Sequence, residues 1–157
     1  MKPFNLFTLI ICLAIPLIIG GISGYATMDG LTSWYQTLNK PSFNPPNYLF
    51  GPVWTTLYVF MGISLYLIWR APLTDVRKLA LIIFSVQLIL NFFWSIIFFS
   101  YHSPGLALIE IAAMWISICI MIYVFQKVNK TAAYLQIPYL LWVSFASILN
   151  AAIWKLN

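Results

Sequence analysis

The sequence carries very little charge: Asp, Glu, Lys and Arg make up 7% of its 157 residues, whereas a soluble domain has about 25%. Histidine occurs once, and the two cysteines, Cys12 and Cys119, lack the C-x-x-C spacing of a metal or redox site. The sequence also lacks a glycine-rich phosphate loop, paired carboxylates and a Ser/His/Asp set. These absences argue against a soluble domain and predict neither a metal site nor catalytic residues of an ordinary type.

Apolar residues dominate instead: 62% of the chain is hydrophobic, and the mean hydropathy is +0.92. At about 1.5 Å per residue, a helix of about 20 apolar residues crosses a hydrocarbon core about 30 Å thick. Five such runs lie near 6–26, 50–69, 79–99, 105–126 and 133–154. The sequence therefore predicts an all-α, multi-pass integral membrane protein, a five-helix bundle forming one domain over residues 1–157. The first run is too long for a signal-peptide core of roughly 7–15 residues.

The net charge of +5 indicates membrane topology rather than nucleic-acid binding, because basic loops stay in the cytoplasm. Six basic residues fall on the side of the N-terminus and of the second and fourth loops. They are Lys2, Arg70, Arg77, Lys78, Lys127 and Lys130. Only Lys40 and Lys155 fall on the other side. The asymmetry predicts a cytoplasmic N-terminus, an external C-terminus and an external first loop.

Three predicted spans carry stripes of aromatic, amide and small residues at helical spacing. The stripes are Trp54, Tyr58 and Gly62 on the second span, Gln87, Asn91 and Ser95 with Trp94 beside them on the third, and Trp142, Ala146 and Asn150 on the fifth. Residues four apart share one face of a helix, and polar groups in a bilayer point at other helices or at a cavity. The stripes therefore predict an aromatic pocket in the outer half of the bundle, although Gln87 and Asn91 fit interhelical hydrogen bonds equally well.

Two further features lie inside spans. Pro16, Gly20 and Gly24 form a stripe of small residues on the first span, which is typical of closely packed helices. Glu110 is the one acid within a predicted helix, and an intramembrane carboxylate is a candidate for a ligand or proton role. Its closeness to the membrane interface makes such a role less favoured. His102 is interpreted as a solvated residue of a helix–helix turn, which is favoured over a heme ligand.

The segment WYQTLNKPSFNPPNYLFGPVW, residues 34–54, is unusually rich in proline and aromatic rings. Its prolines are Pro41, Pro45, Pro46 and Pro52, and its rings include Trp34, Tyr35, Phe43 and Tyr48. Proline fixes its own φ and restricts the residue before it, so the segment predicts a structured first loop that acts as a lid over the pocket. An aromatic belt at the membrane surface is the alternative.

Four stretches of this sequence resemble the TspO/MBR family of translocator proteins and tryptophan-rich sensory proteins, also known as peripheral-type benzodiazepine receptors. They are WYQTLNKPSFNPP followed by GPVWTTLY, then QLILNFFWSIIFF, and finally PYLLWVSFASILN. The resemblance covers nearly the whole chain, in the order and spacing of the family. It implies a homodimeric five-helix protein of a bacterial cell membrane, without a tightly bound cofactor.

The resemblance also implies the ligands: porphyrin-like tetrapyrroles such as heme and protoporphyrin, and benzodiazepine-site compounds. The carried-over pocket residues are Trp34, Pro45, Trp54, Asn91, Ser95, Trp142 and Ala146. Lys40 or Asn47 at the rim is expected to meet porphyrin propionates. Phe43 stands where the family motif has a tryptophan, which weakens a photochemical role. Ala151 and Ala152 replace the tyrosines of the sterol-recognition pattern, so strong sterol binding is not expected.

Three functions are compatible with these residues. A membrane binding protein that carries or senses porphyrins is favoured, and it is not expected to be an enzyme. A catalyst of light-dependent porphyrin oxidation would use Trp54 and Trp142 as redox residues. A small secondary transporter is disfavoured, because five helices do not divide into the equal inverted repeats of that class.

Overall fold

The computed structural model describes residues 3–157, and this part of the chain consists of helices and loops without a β-strand. Five helices are long and apolar enough to cross a membrane. We call them the first to fifth spans: Leu6–Ala26, Phe50–Arg70, Asp75–Ser95, Pro104–Val128 and Ile137–Leu156. The predicted all-α membrane bundle of five spans is confirmed. Lys2, which the charge argument places at the inner end, lies outside the described residues.

The third span begins at Asp75, four residues before the predicted start at 79. The Thr74 side chain accepts a hydrogen bond from the backbone N–H of Arg77 at 3.2 Å, which satisfies one of the free donors of the first turn. Asp75 adds a negative charge at the positive end of the helix dipole. Hydropathy misses this turn because capping requires polar residues. At its other end the span continues into one π-helical turn, Ile96–Ser100.

The fifth apolar run is interrupted. A short helix, Lys130–Tyr134, precedes the long helix Ile137–Leu156, where a single helix over 133–154 is predicted. Pro138 has no N–H and therefore cannot bond to the carbonyl of Tyr134 in a continuous helix, and a proline in the first turn is instead compatible with a new helix start. The break is therefore a consequence of one residue.

The spans do not all approach each other equally. The first and second, the third and fourth, and the fourth and fifth spans pack closely as pairs, and the first span also contacts the third. The second and fifth spans approach each other less closely, and a hollow remains between them. Large aliphatic side chains on the outer faces, such as Ile18, Ile82 and Ile109, are more than half exposed in the isolated chain. These faces suit a surrounding bilayer.

Small residues allow the first and second spans to meet. A Cβ on Gly62 would lie 2.7 Å from the Leu13 backbone, and a Cβ on Gly20 would overlap the Tyr58 ring. Gly20 therefore serves the close packing predicted for the small-residue stripe. Gly24 does not: it is exposed and a Cβ there would meet nothing. The predicted seam is correct at Gly20 and wrong at Gly24. Near Gly24 it is Ser23 that faces the bundle: it is buried, and its Oγ donates to the Phe92 carbonyl at 3.3 Å, so Gly24 lies on another face of the helix.

The first loop is ordered by its own contacts. It contains the short helices Met28–Thr32 and Trp34–Thr37, and a 3₁₀ turn, Asn47–Leu49, leads into the second span. The backbone N–H of Asn39 donates to Oδ1 of Asn157 at 2.9 Å, and Nδ2 of Asn157 donates to the Asn39 carbonyl at 3.0 Å. These bonds tie the loop to the C-terminal end of the fifth span.

Candidate functional site

A buried hydrogen-bonded network joins the second, third and fifth spans. The Tyr58 hydroxyl donates to Oδ1 of Asn91 at 2.8 Å, and Nδ2 of Asn91 donates to the Tyr139 hydroxyl at 3.2 Å. The Tyr139 hydroxyl in turn lies 3.4 Å from the sulfur of Met114 on the fourth span. Asn91 is 2% exposed and Tyr139 is fully buried. The Asn91 amide therefore forms interhelical hydrogen bonds, the first of the two roles that its position allows; the other was to line a cavity.

Trp54 extends this network toward the first loop. Its ring stacks on Tyr58 with centroids 5.6 Å apart and meets the edge of Tyr139 at 6.2 Å. Trp54 itself remains half-buried. Tyr139 was not among the predicted site residues, although it precedes Trp142 by three positions and Ala146 by seven. That helical spacing was the available signal for placing it on the predicted face.

A second polar contact lies closer to the first loop. Nε1 of Trp94 donates to Oδ1 of Asn150 at 3.2 Å, and Nδ2 of Asn150 donates to the Pro104 carbonyl at 2.7 Å. Trp94, Asn150 and the buried Ala146 line a cavity of only about 20 Å³, together with Tyr35, Phe50 and their neighbours. The residues predicted to wall a pocket do meet here, but the space between them has room for about one water molecule and not for a ligand.

The larger space lies between the second and fifth spans. This hollow measures about 530 Å³ and is open on one side. Its walls are almost entirely apolar: Pro52, Val53, Thr56, Leu57, Phe60, Pro138, Leu141, Trp142 and Phe145. Phe50 meets Trp142 edge-on at 5.9 Å, and Trp142 lies 5.5 Å from Phe145. Of the predicted site residues, only Trp142 lines this hollow. The pattern within one helix does not give its distance from another helix, so the gap between these two spans could not be predicted.

The loop meets the hollow through Phe43, whose ring lies edge-on to Phe145 with centroids 6.4 Å apart. Pro45 is half-buried nearby in sequence, and its carbonyl accepts a hydrogen bond from Nδ2 of Asn44 at 3.1 Å. Trp34 lies elsewhere: it stacks on His102 at 4.6 Å and meets Phe98 edge-on at 5.7 Å. His102 is exposed in a turn with a φ of 51°. Trp34 thus packs over the third loop rather than over the hollow.

Tyr35 anchors the loop from below. It is 2% exposed, its ring packs against Phe99 at 5.5 Å, and its hydroxyl donates to Oδ1 of Asn44 at 2.7 Å. Burial raises the pKa of Tyr35 to about 12, so the phenol keeps its proton and remains a donor at physiological pH. Nζ of Lys40 lies 4.9 Å from the centre of the same ring. The loop thereby holds a cation close to its buried anchor.

Three predicted polar residues lie apart from the hollow. Gln87 is fully buried, and neither atom of its amide has a hydrogen-bond partner within residues 3–157. Glu110 is half-buried, and both of its carboxyl oxygens are likewise without a partner in that part of the chain. Ser95 is half-buried near the end of the third span. The structure therefore places Gln87, Glu110 and Ser95 in no shared cavity with Trp142.

Cation-binding side chains are not grouped. Within residues 3–157 no three His, Cys, Asp or Glu side chains come together in a way that would hold a metal ion. Cys12 is buried on the first span and Cys119 is half-buried on the fourth, both as free thiols.

The chemistry that the hollow offers is contact between apolar ring surfaces and a flat apolar ligand. A small multi-pass membrane protein with an aromatic hollow open between two of its spans is the class that these features define.

Comparison with known proteins gives the family. The profile of the TspO/MBR family matches residues 12–155, and the chain belongs to that family. It is 40% identical to the tryptophan-rich protein TspO of Chlorobaculum tepidum, over 98% of each chain. It is 36% identical to the human translocator protein, over 79% of this chain and 75% of the human one. It is also 32% identical to the tryptophan-rich sensory protein of Cereibacter sphaeroides, over 79% and 77% of the two chains. The resemblance seen in the motifs is confirmed.

Proposed function

We propose that this protein is a membrane translocator or sensor that binds flat, apolar ligands of the porphyrin class, heme and protoporphyrin among them, and benzodiazepine-site compounds. The names of its relatives, translocator protein and tryptophan-rich sensory protein, support the coarser role. They are not names of enzymes, and we propose binding rather than catalysis. The observation that carries the ligand class is the aromatic hollow between the second and fifth spans.

The size and walls of the hollow suit such a ligand. Its volume of about 530 Å³ falls within the range of about 300–1,000 Å³ for small-molecule sites. Trp142 and Phe145 offer ring faces for stacking, and aromatic pairs contribute about 0.5–1.5 kcal/mol beyond the area that they bury. The hollow is open on one side, which lets an apolar ligand enter from the bilayer. The ligand lies under the first loop, which acts as the lid.

The polar groups of the ligand find partners at the rim. Lys40 lies in the loop with its Nζ 3.4 Å from the Gln36 carbonyl, and Asn47 is exposed where the 3₁₀ turn begins. Both belong to the segment that leads to Pro52 at the edge of the hollow. A porphyrin propionate carries a negative charge, and a lysine is its natural partner.

The test is a titration of the purified protein with protoporphyrin in detergent, followed by the shift of the porphyrin Soret band. Trp142→Ala removes ring contact over about 60 Å², which at about 25 cal/mol per Å² weakens binding about tenfold. Trp154→Ala is the matched control, because Trp154 is 56% exposed and lies outside the hollow. Equal affinity in wild type and Trp142→Ala would remove the ligand from this hollow.

Light distinguishes binding from catalysis. If the protein only binds, Trp54→Phe leaves the rate of light-driven Soret loss unchanged at saturating protein. A rate that falls to the value for an unrelated membrane protein would instead support oxidation through Trp54 and Trp142.

The orientation that accompanies this proposal is a cytoplasmic N-terminus and an external hollow. Arg70, Arg77, Lys78, Lys127 and Lys130 lie at one end of the described bundle, and the loop and the hollow lie toward the other. A cysteine at Asn157 should react with an impermeant thiol reagent in intact cells, and one at Thr74 should not. The reverse pattern would invert the proposed topology.

A further inference from the structure

A second large recess lies at the basic end of the bundle, away from the hollow. It measures about 500 Å³ and is lined by the first two thirds of the first span, the end of the second and the first two thirds of the third. Its walls are mostly aliphatic and aromatic, with Ile11, Ile15, Trp69, Leu81 and Leu88 among them. We call it the inner groove. Because it faces outward between spans, the bilayer has direct access to it.

Arg77 lies beside this groove, against one of its lining residues. Its guanidinium carbon is 5.0 Å from the centre of the Trp69 ring, which lines the groove. Leu81, four residues further on the same helix and therefore on the same face, also lines the groove. The positive charge of Arg77 therefore lies next to the apolar walls of the groove.

The Arg77 charge is buried and has no anionic partner. The residue is 4% exposed, and within residues 3–157 no carboxylate comes within 4.0 Å of it. The one ion pair in that part of the chain joins Lys78 to Asp75 at 3.3 Å. Arginine is almost never fully buried unless it is paired, because an unpaired buried charge is costly. The Nη atoms are not among the fully buried side-chain atoms that lack a partner, so an anion at the protein surface can reach them.

Capping of the second span explains one of the contacts of Arg77. Nε of Arg77 donates to the Ile68 carbonyl at 3.2 Å, which caps the end of the second span and complements its dipole. That bond occupies one N–H of a group that carries five. The two Nη groups donate no hydrogen bond within residues 3–157. The cap and the contact with the Trp69 ring therefore leave both Nη groups without a hydrogen-bond acceptor within residues 3–157.

No acidic side chain of the same chain neutralises Arg77 within residues 3–157. The chain has three acids, and none is placed to reach Arg77. Asp75 is paired with Lys78, Asp29 lies in the first loop at the opposite end, and Glu110 lies two turns into the fourth span from that same end. An anion at Arg77 would therefore come from the surroundings of the chain.

We propose that an anionic phospholipid occupies the inner groove, with an acyl chain against Trp69 and Leu81 and its phosphate at Arg77. Basic recesses between spans at the cytoplasmic side are recognised sites for acidic headgroups. This proposal does not depend on the porphyrin function, because the groove and the hollow share no residue.

The test uses lipids with brominated acyl chains, which quench a tryptophan that they touch. The full-length protein is reconstituted with brominated phosphatidylglycerol or brominated phosphatidylcholine, and the Trp69 signal is taken as the difference between wild type and Trp69→Phe. We expect phosphatidylglycerol to associate about fivefold more strongly, the effect of about one basic residue near an anionic surface. Arg77→Gln should abolish that preference, and Arg77→Lys should keep most of it.

Matched variants separate the site from general effects. Lys127→Gln removes a basic residue from the same end of the bundle, where Lys127 lies over the Tyr123 ring at 4.2 Å and outside the groove. It should keep the preference. Ser85→Trp fills the groove and should abolish quenching of Trp69 by either lipid, whereas Ala113→Trp on the exposed face of the fourth span should not. Circular dichroism establishes that each variant is folded.

Three results would overturn the proposal. Equal quenching of wild type by the two lipids would show that the headgroup is not recognised. A preference that persists in folded Arg77→Gln would place the headgroup elsewhere. An unquenched Trp69 in wild type would mean that something other than lipid, such as a second copy, covers the groove.

Discussion

The network of Tyr58, Asn91 and Tyr139 makes a quantitative prediction about stability. Asn91→Leu keeps the size of the side chain but removes both of its hydrogen bonds, at 2.8 and 3.2 Å. Interhelical hydrogen bonds in membranes contribute about 0.6 kcal/mol each. The Tyr58 hydroxyl, in a residue that is only 9% exposed, also loses its acceptor, and an orphaned buried donor costs about 1 kcal/mol or more. We expect a loss of about 2 kcal/mol in the free energy of unfolding.

The assay is equilibrium unfolding in mixed micelles of increasing SDS fraction, followed by circular dichroism. Tyr58→Phe and the double variant Tyr58→Phe/Asn91→Leu complete a double-mutant cycle, in which the double variant should lose less than the two single losses combined. Ser85→Ala is the control, since that exposed serine bonds only to its own helix at Leu81. Additive losses in the cycle, or a loss below about 0.5 kcal/mol for Asn91→Leu, would refute the reasoning.

Two further predictions concern packing and the loop. Gly20→Leu drives a side chain into the Tyr58 ring and should cost about 1–3 kcal/mol by overpacking in the same SDS titration, whereas Gly24→Leu, with open space around it, should be neutral; equal losses would contradict the close approach. Tyr35→Phe removes the hydroxyl that holds Asn44 at 2.7 Å, and the loss of about 1 kcal/mol should speed proteolytic cleavage of the first loop. Tyr48→Phe, at a residue 78% exposed, should leave the cleavage rate unchanged, and equal rates for both variants would show that Tyr35 does not anchor the loop.

The sequence predicts most of the fold because the bilayer imposes a single strong rule. A spanning helix needs a long apolar run, and the five runs became five spans. The errors lie at the ends, where polar chemistry decides. Thr74 and Asp75 extend the third span beyond its apolar part, and Pro138 splits the fifth run. Hydropathy averages over such single residues.

The site is predictable only in part. Spacing of four placed Tyr58 and Asn91 on inward faces, and the two side chains do bond to each other. Spacing within one helix gives no information about the distance between two helices. The gap between the second and fifth spans, with Phe60 and Leu141 on its walls, therefore could not be foreseen. Trp34 illustrates the same limit, since its partner His102 belongs to a different loop.

Gln87 remains without a structural explanation, because its buried amide has no partner among residues 3–157. It shares a helix face with Asn91, one turn further from the loop. Loss of an unpaired amide should not weaken the fold, so Gln87→Leu is expected to be neutral or stabilising in the SDS titration. A loss of more than about 1 kcal/mol would show that Gln87 has a partner that the protein acquires in the membrane.

The central claim is that the porphyrin lies between the second and fifth spans, and two neighbouring threonines test it most directly. Thr55 and Thr56 are both exposed and both bond to a carbonyl one turn earlier, at 2.9 Å, yet only Thr56 lines the hollow. The measurement is the protoporphyrin Kd, by Soret titration, of Thr56→Trp and Thr55→Trp. We expect Thr56→Trp to fill the hollow and raise Kd at least about tenfold, while Thr55→Trp stays within about twofold of wild type. Equal Kd values for the two variants, or a larger loss in Thr55→Trp, would contradict the account.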